Sequence, residues 1–142
     1  MEKISRNQEN FIIMTVIYDE IADQVAGKGA NFRDVDEIIR EMTDNPLPFK
    51  EHSAYVQNMI SSVLNNYGSI ITAFQPHLRN WKWERLPLLT QAILLMSYSH
   101  FYFIEKVDKV VVINTAVELA KKYIDDKQAK FVNAILDSGV LK

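Results

Sequence analysis

The chain has 142 residues, 48% hydrophobic and 24% charged, with a formal net charge of −2; this suits one domain with a real core and is too apolar for wholesale disorder. It contains no cysteine, which removes disulfides, thiolate metal sites and a cysteine nucleophile and fits a reducing compartment. Residues 1–70 carry eleven acids against six bases and residues 71–142 ten bases against seven acids, so the halves stand at −5 and +3; no global field attracts nucleic acid, and a basic face would belong to the second half.

Apolar residues recur at helical spacing almost throughout, and no stretch alternates as a strand does. Ser5 opens the first helix, with Gln8 completing a capping box. Phe11, Met14, Ile17, Tyr18, Ile21 and Val25 then form one apolar stripe, which Gly27 and Gly29 end. A short second helix is expected under an Asn31 cap, buried through Phe32, Val35, Ile38, Ile39 and Met42, before TDNPLPF breaks the chain at Pro46 and Pro48. From about Glu51 to Tyr67 a third helix presents Tyr55, Met59, Ile60, Val63 and Leu64. Gly68 is its expected stop, and Ser69 the cap of a short fourth helix that Pro76 bends or ends.

The run Leu86–Ile104, LPLLTQAILLMSYSHFYFI, has no charged residue in nineteen. Its length would just cross a bilayer. Pro87, Thr90, Gln91, Ser97, Ser99 and His100 are ill-suited to lipid, whereas neighbouring helices of a soluble bundle can satisfy them, so the run predicts the central helix of such a bundle. Pro87 suits its first helical position. Asp108 is the expected cap of a helix running to Tyr123. That helix carries a polar strip of Asn114, Glu118, Lys121, Lys122 and Asp125, in which Glu118 and Lys122 stand in the favourable order for an ion pair. A last helix, about Lys127 to Ser138, buries Phe131 or Val132 with Ile135 and Leu136. The fold class is therefore all-α with seven helices. The N-terminus lacks the apolar core of a signal peptide, which makes the cytoplasm the expected location.

Catalytic patterns are missing. His52, His77 and His100 lie on separate segments without metal-ligand spacing, and there is no HExxH, phosphate-binding glycine loop or GxSxG. No carboxylate sits inside an apolar run where burial would raise its pKa. The expectation is a protein that is not an enzyme and uses no cofactor and no metal. Trp81 and Trp83 read as core anchors rather than base-stacking platforms, and Asn114 and Asn133 as buried or half-buried hydrogen-bonding ties.

Four segments carry a family resemblance: Trp81-Lys-Trp-Glu-Arg-Leu86, Ala92-Ile-Leu94, the helix INTAVELAKKY ending at Tyr123, and FVNAILD from Phe131 to Asp137. In this order and at these separations they resemble the NusB family of transcription antitermination factors, and Ile17-Tyr18 sits where that family has Leu-Tyr. The resemblance implies a NusB-like bundle in two parts, about 1–68 and 69–142, without catalytic activity. It further implies a partner, the small ribosomal-subunit protein NusE, with which the family holds the boxA segment of nascent RNA so that polymerase reads through terminators. The positions it marks for RNA are Arg6 in the first turn and Lys127, Lys130 and Phe131 near the last helix, with Tyr18 facing the protein partner. Departures are specific: a single arginine, Arg6, in a first turn that usually holds several, Thr115 for a glutamate, Ala134 for a glycine and Asp108 for a proline. Two other roles fit the same residues. One is a protein-interaction module or homodimer with reduced RNA binding; the other is a detached accessory domain related to the N-terminal domain of ribosomal-RNA cytosine methyltransferases.

Overall fold

The computed structural model describes residues 5–27, 32–44 and 54–142. Within them lie the helices α1 (Arg6–Val25), α2 (Val35–Asp44), α3 (Ala54–Asn65), α4 (Tyr67–Phe74), α5 (Leu88–Ser99), α6 (Lys109–Tyr123) and α7 (Asp126–Ile135), and no strand. This is the all-α, seven-helix architecture expected from the periodicity.

α5 is the centre. Every residue from Thr90 to Ser97, and Ser99, is buried, because α1, α3, α4, α6 and α7 all pack against it. Buried polar groups must find partners inside the protein, and those of α5 do. Thr90 Oγ1 donates to Gln128 Oε1 of α7 at 2.8 Å. Gln91 Nε2 donates to the carbonyls of Trp83 and Leu86 at 3.1 and 3.0 Å. Ser97 Oγ donates to the Ile93 carbonyl at 2.7 Å, and Ser62 Oγ of α3 donates to Ser99 Oγ at 3.3 Å. The middle of the uncharged run is thus a buried helix, while Tyr102 and Phe103 at its end are exposed, and no helix among the described residues is long and apolar enough to cross a membrane. Pro87 stands one position earlier than expected: its extended backbone (φ −52°, ψ 141°) makes it the residue before the helix. Beyond Ser99 the helix widens into a π turn, His100–Ile104, and Glu105 is extended.

The capping box of α1 is formed, with the Gln8 N–H donating to Ser5 Oγ at 3.1 Å and the Ser5 N–H to Gln8 Oε1 at 2.8 Å. Ile13, Met14, Ile17 and Ile21 are buried, but Phe11 and Val25, placed in the same stripe, are exposed. Phe11 instead lies on the ring of Tyr123, centroids 4.9 Å apart; Val25 falls in the last turn, beyond the packed face. Gly27 ends the helix in the left-handed region at φ +76°, where a Cβ would be strained. Gly29, Asn31, Pro46, Pro48 and His52 lie outside the described residues, as do the side chains of Val35, Ile39 and Met42.

Three boundaries differ from expectation for local reasons. α2 starts at Val35, after Asp34 Oδ1 has accepted the Asp36 N–H at 2.8 Å, while Phe32 precedes the helix and packs edge-on against Tyr67 at 4.8 Å. α3 ends at Asn65, not at Gly68, which lies inside α4. The break is Asn66, whose side-chain nitrogen donates back to the Ser62 carbonyl at 2.8 Å, the competition with backbone bonding that makes asparagine a poor helix interior residue. Ser69 is consequently no cap; its hydroxyl donates to the Asn66 carbonyl at 2.9 Å. α4 does end in the turn that contains Pro76. Asp108 precedes α6 without a side-chain capping bond, and α7 is capped by Asp125, whose Oδ1 accepts the Gln128 N–H at 2.7 Å.

The two tryptophans separate. Trp83 is 2% exposed, with Phe74 5.5 Å away between ring centroids, whereas Trp81 is 59% exposed and is not the core anchor expected of it. Asn114 and Asn133 are likewise exposed rather than half-buried. Because α5 is enclosed on all sides, Leu94→Asp is expected to abolish the folded state: an unpaired buried charge costs several kcal/mol, about the whole stability of a small domain. Leu94→Ala should cost about 2–5 kcal/mol and still fold. Circular dichroism melts check both; a Leu94→Asp protein melting like its parent contradicts the architecture.

Candidate RNA and partner interface

Only two residues, Ile124 and Asp125, separate α6 from α7. Val132 and Ile135 bury its inner face together with Leu136, and the Thr90–Gln128 bond ties its first turn to the central helix. This leaves Lys127 and Lys130 exposed and Phe131 partly buried against the core. Spacings of three and four put all three on one side of the helix. The structure therefore brings together three of the residues marked for RNA, as an aromatic edge beside two cations, and it settles the choice between Phe131 and Val132 for the core in favour of Val132.

Arg6 sits in a different environment. Its guanidinium lies 3.6 Å from the ring centroid of Tyr55, with Nη1 3.1 Å from Glu105 Oε1 and Nε 3.4 Å from Glu9 Oε1. His100 Nε2 lies 2.7 Å from the same Glu105 oxygen, and the Tyr55 hydroxyl donates to Asn10 Oδ1 at 2.7 Å. The hydrogen bond from His100, then the charge of Arg6, hold the Glu105 carboxyl below its ordinary range, while burial raises the Tyr55 hydroxyl. A cation that faces two carboxylates attracts a phosphate less than a free lysine does. Arg6 thus ties the start of α1 to α3 and to the end of the π turn, a role its sequence position does not reveal. Glu105, the first charge after the uncharged run, was the available hint.

Tyr18 is partly buried on α1, in the strip Phe11, Thr15, Tyr18 and Ala22 that helical spacing places on one face. The lower half of α1 holds a buried carboxylate that sequence reading missed. Glu20 is 3% exposed, and its Oε2 accepts from Nη2 and Nε of Arg33 at 2.8 and 3.0 Å; Arg33 also bonds Glu41. Burial of a charge so paired is tolerable, and here it fastens α1 to the approach to α2. On α6 the expected Glu118–Lys122 ion pair is not formed: neither residue has a salt-bridge partner among the described residues, and Lys122 Nζ lies 5.5 Å from the Tyr123 ring centroid. His77 Nδ1 meets Ser138 Oγ at 2.9 Å, and no cluster of three potential metal ligands occurs among the described residues.

Glu105 has a lowered pKa in the folded state, so its contribution to stability is complete above the ordinary carboxylate value and is lost as pH falls through the lowered one. Its side chain is 44% exposed, and screening keeps the contribution to about 1 kcal/mol or less. Glu105→Gln is expected to destabilise by that amount at neutral pH, with the gap from the parent closing in acid. Urea melts at several pH values test it; a gap that widens as pH falls contradicts the assignment.

Comparisons with known proteins agree on one family. The sequence profile of the NusB family matches residues 12–140. The transcription antitermination protein NusB of Bacillus licheniformis is 37% identical over 98 residues, covering 69% of this chain and 76% of the relative. Among solved structures, NusB of T. maritima superposes with a TM-score of 0.79 at 22% identity, covering 96% of this chain and 91% of that one. A structure of the antitermination factors NusB and NusE in complex with double-stranded RNA matches with a TM-score of 0.70 at 19% identity, covering 97% and 98%. With the profile spanning nearly its whole length, the chain belongs to the NusB family of transcription antitermination proteins.

Proposed function

We propose that the protein acts without catalysis, holding a boxA-like segment of nascent RNA together with NusE so that polymerase reads through terminators in ribosomal RNA transcription. The observation that carries this reading is the outer side of α7, where core packing of Val132, Ile135 and Leu136 leaves Phe131 half-exposed beside the exposed cations Lys127 and Lys130. Aromatic stacking flanked by cations is how single-stranded RNA is held. A structural neighbour was solved as NusB and NusE in complex with double-stranded RNA, and Tyr18 offers a partly exposed ring on α1 for the protein partner. The two surfaces share the work: a partner adding its own cations raises the effective concentration of RNA at a second weak patch.

A second reading, a protein-binding module or homodimer with reduced RNA affinity, is favoured by the engagement of Arg6 with Glu9, Glu105 and Tyr55. Salt-controlled titration of boxA-like and scrambled RNA, with and without NusE, separates the two. Under the first reading, Phe131→Ala weakens the ternary complex about five- to a hundredfold, as loss of one base-stacking contact does. Lys130→Ala lowers the salt dependence by about one phosphate contact. Arg6→Ala has the smaller effect. Binding abolished by Arg6→Ala and untouched by Phe131→Ala overturns the assignment to α7, and absence of RNA binding with NusE present favours the second reading.

A further inference from the structure

Between the first turns of α1 and the middle of α6 lies a groove of about 250 Å³ with a mixed lining, walled by Asn7 and Asn10 on one side and on the other by the polar Asn114, Glu118 and Lys122 beside the apolar Leu119 and Tyr123. Spacings of four bring Asn114, Glu118 and Lys122 onto one face of α6. Their hydrogen-bonding capacity is unspent: Asn7, Asn114 and Glu118 bond to no other described residue, and Asn10, though 3% exposed, uses only its oxygen, toward Tyr55. We infer that this groove is a subsite for one splayed nucleobase of single-stranded RNA, selecting bases that carry an exocyclic amino group over uracil. The inference rests on the RNA-binding reading above and adds to it a place and a preference.

The chemistry of the walls selects the occupant. The volume is below the roughly 300–1,000 Å³ of sites for drug-sized ligands, so a single planar ring system is the natural fit. A carboxamide presents a donor and an acceptor side by side, the pairing that asparagine makes with a base edge. Glu118 only accepts. It repels a phosphate and rewards an amino group, as acidic side chains do with the amino group of cytosine. Uracil offers it an N–H flanked by two carbonyl oxygens, so the carboxylate discriminates by repulsion as well as by attraction. Lys122, beside Glu118 on the same face and unpaired with it, supplies the charge for the adjoining phosphodiester. Tyr123, backed by Phe11 at 4.9 Å between centroids, gives the groove an aromatic wall.

The test is a salt-controlled titration of the intact chain, with NusE present, using labelled 12-nucleotide oligoadenylate, oligocytidylate and oligouridylate. The parent is expected to bind at least one amino-bearing oligomer about five- to a hundredfold more tightly than oligouridylate, the discrimination of one good base contact. Asn114→Ala and Glu118→Ala should each shrink that ratio toward one, and Glu118→Ala should do so partly by raising oligouridylate affinity, which loss of fold cannot do. Glu37→Ala, removing an exposed acid on α2, controls for general charge and should leave the ratio unchanged. Equal binding of the three oligomers by the parent, or a ratio that survives both α6 substitutions, overturns the subsite while leaving the α7 reading intact wherever Phe131→Ala still weakens binding. No measurable binding of any oligomer overturns the subsite alone where boxA-like RNA still binds with NusE present, and overturns both where it does not.

Discussion

Burial of α5 from Thr90 to Ser97 is the constraint on which the rest of the molecule depends. A helix enclosed on all sides can keep polar side chains only where each finds a partner inside, and those partners fix how the neighbours dock. Gln128 positions the first turn of α7 through Thr90, Ser62 sets α3 against Ser99, and the carbonyls of Trp83 and Leu86 hold the entry to the helix through Gln91. The outward orientation of Lys127, Lys130 and Phe131 is therefore a consequence of core chemistry. Once Gln128 is bonded inward and Ala129, Val132 and Ile135 are packed, Lys127 and Lys130 are left facing solvent with Phe131 at the edge of the core.

The start of α1 obeys a second, electrostatic logic. Its one arginine is gathered by Tyr55, Glu9 and Glu105 into a contact linking three parts of the chain distant in sequence. The π turn that closes α5 matters here, because it delivers His100 and Glu105 to the same place. Exposed pairs of this kind add little to stability, but they decide which cations remain free to meet an anion. By that measure Lys121 and Lys122 of α6 and Lys127 and Lys130 of α7 are exposed cations without an ion-pair partner among the described residues, as are Arg79, Lys82, Arg85 and Lys106 in the same half of the chain, the half with the positive excess.

Glu20 and Glu118 show how one residue type serves opposite ends. Glu20 is buried because Arg33 satisfies it with two nitrogens; Glu118 stays in the open although a lysine stands one turn away, since Lys122 is drawn toward Tyr123. Helical spacing makes such a pair available without requiring it, and the few tenths of a kcal/mol that an exposed pair contributes do not outweigh a nearby aromatic face.

Periodicity and punctuation alone determined much of this protein. The capping box of Ser5 and Gln8, the burial of the middle of the uncharged run, the stripe of Met14, Ile17 and Ile21 and the choice of an all-helical fold follow from local spacing and from the cost of wetting apolar surface, and the family segments determined the kinship. Tertiary structure decided what spacing cannot express. Trp81 and Trp83 are two residues apart with the same chemistry, and only the path of the chain after Leu78 sends one into the core and the other to solvent. Phe11 belongs to the apolar period of α1 yet leaves the core to stack on Tyr123, because α6 arrives there. Asn66 breaks a helix that Gly68 was expected to end, since a side chain bonding back to its own backbone outweighs the permissiveness of glycine. Arg6 is bound and Glu118 is free for the same reason: the partner of a charged group is set by what folds against it across many residues, and no local pattern records that.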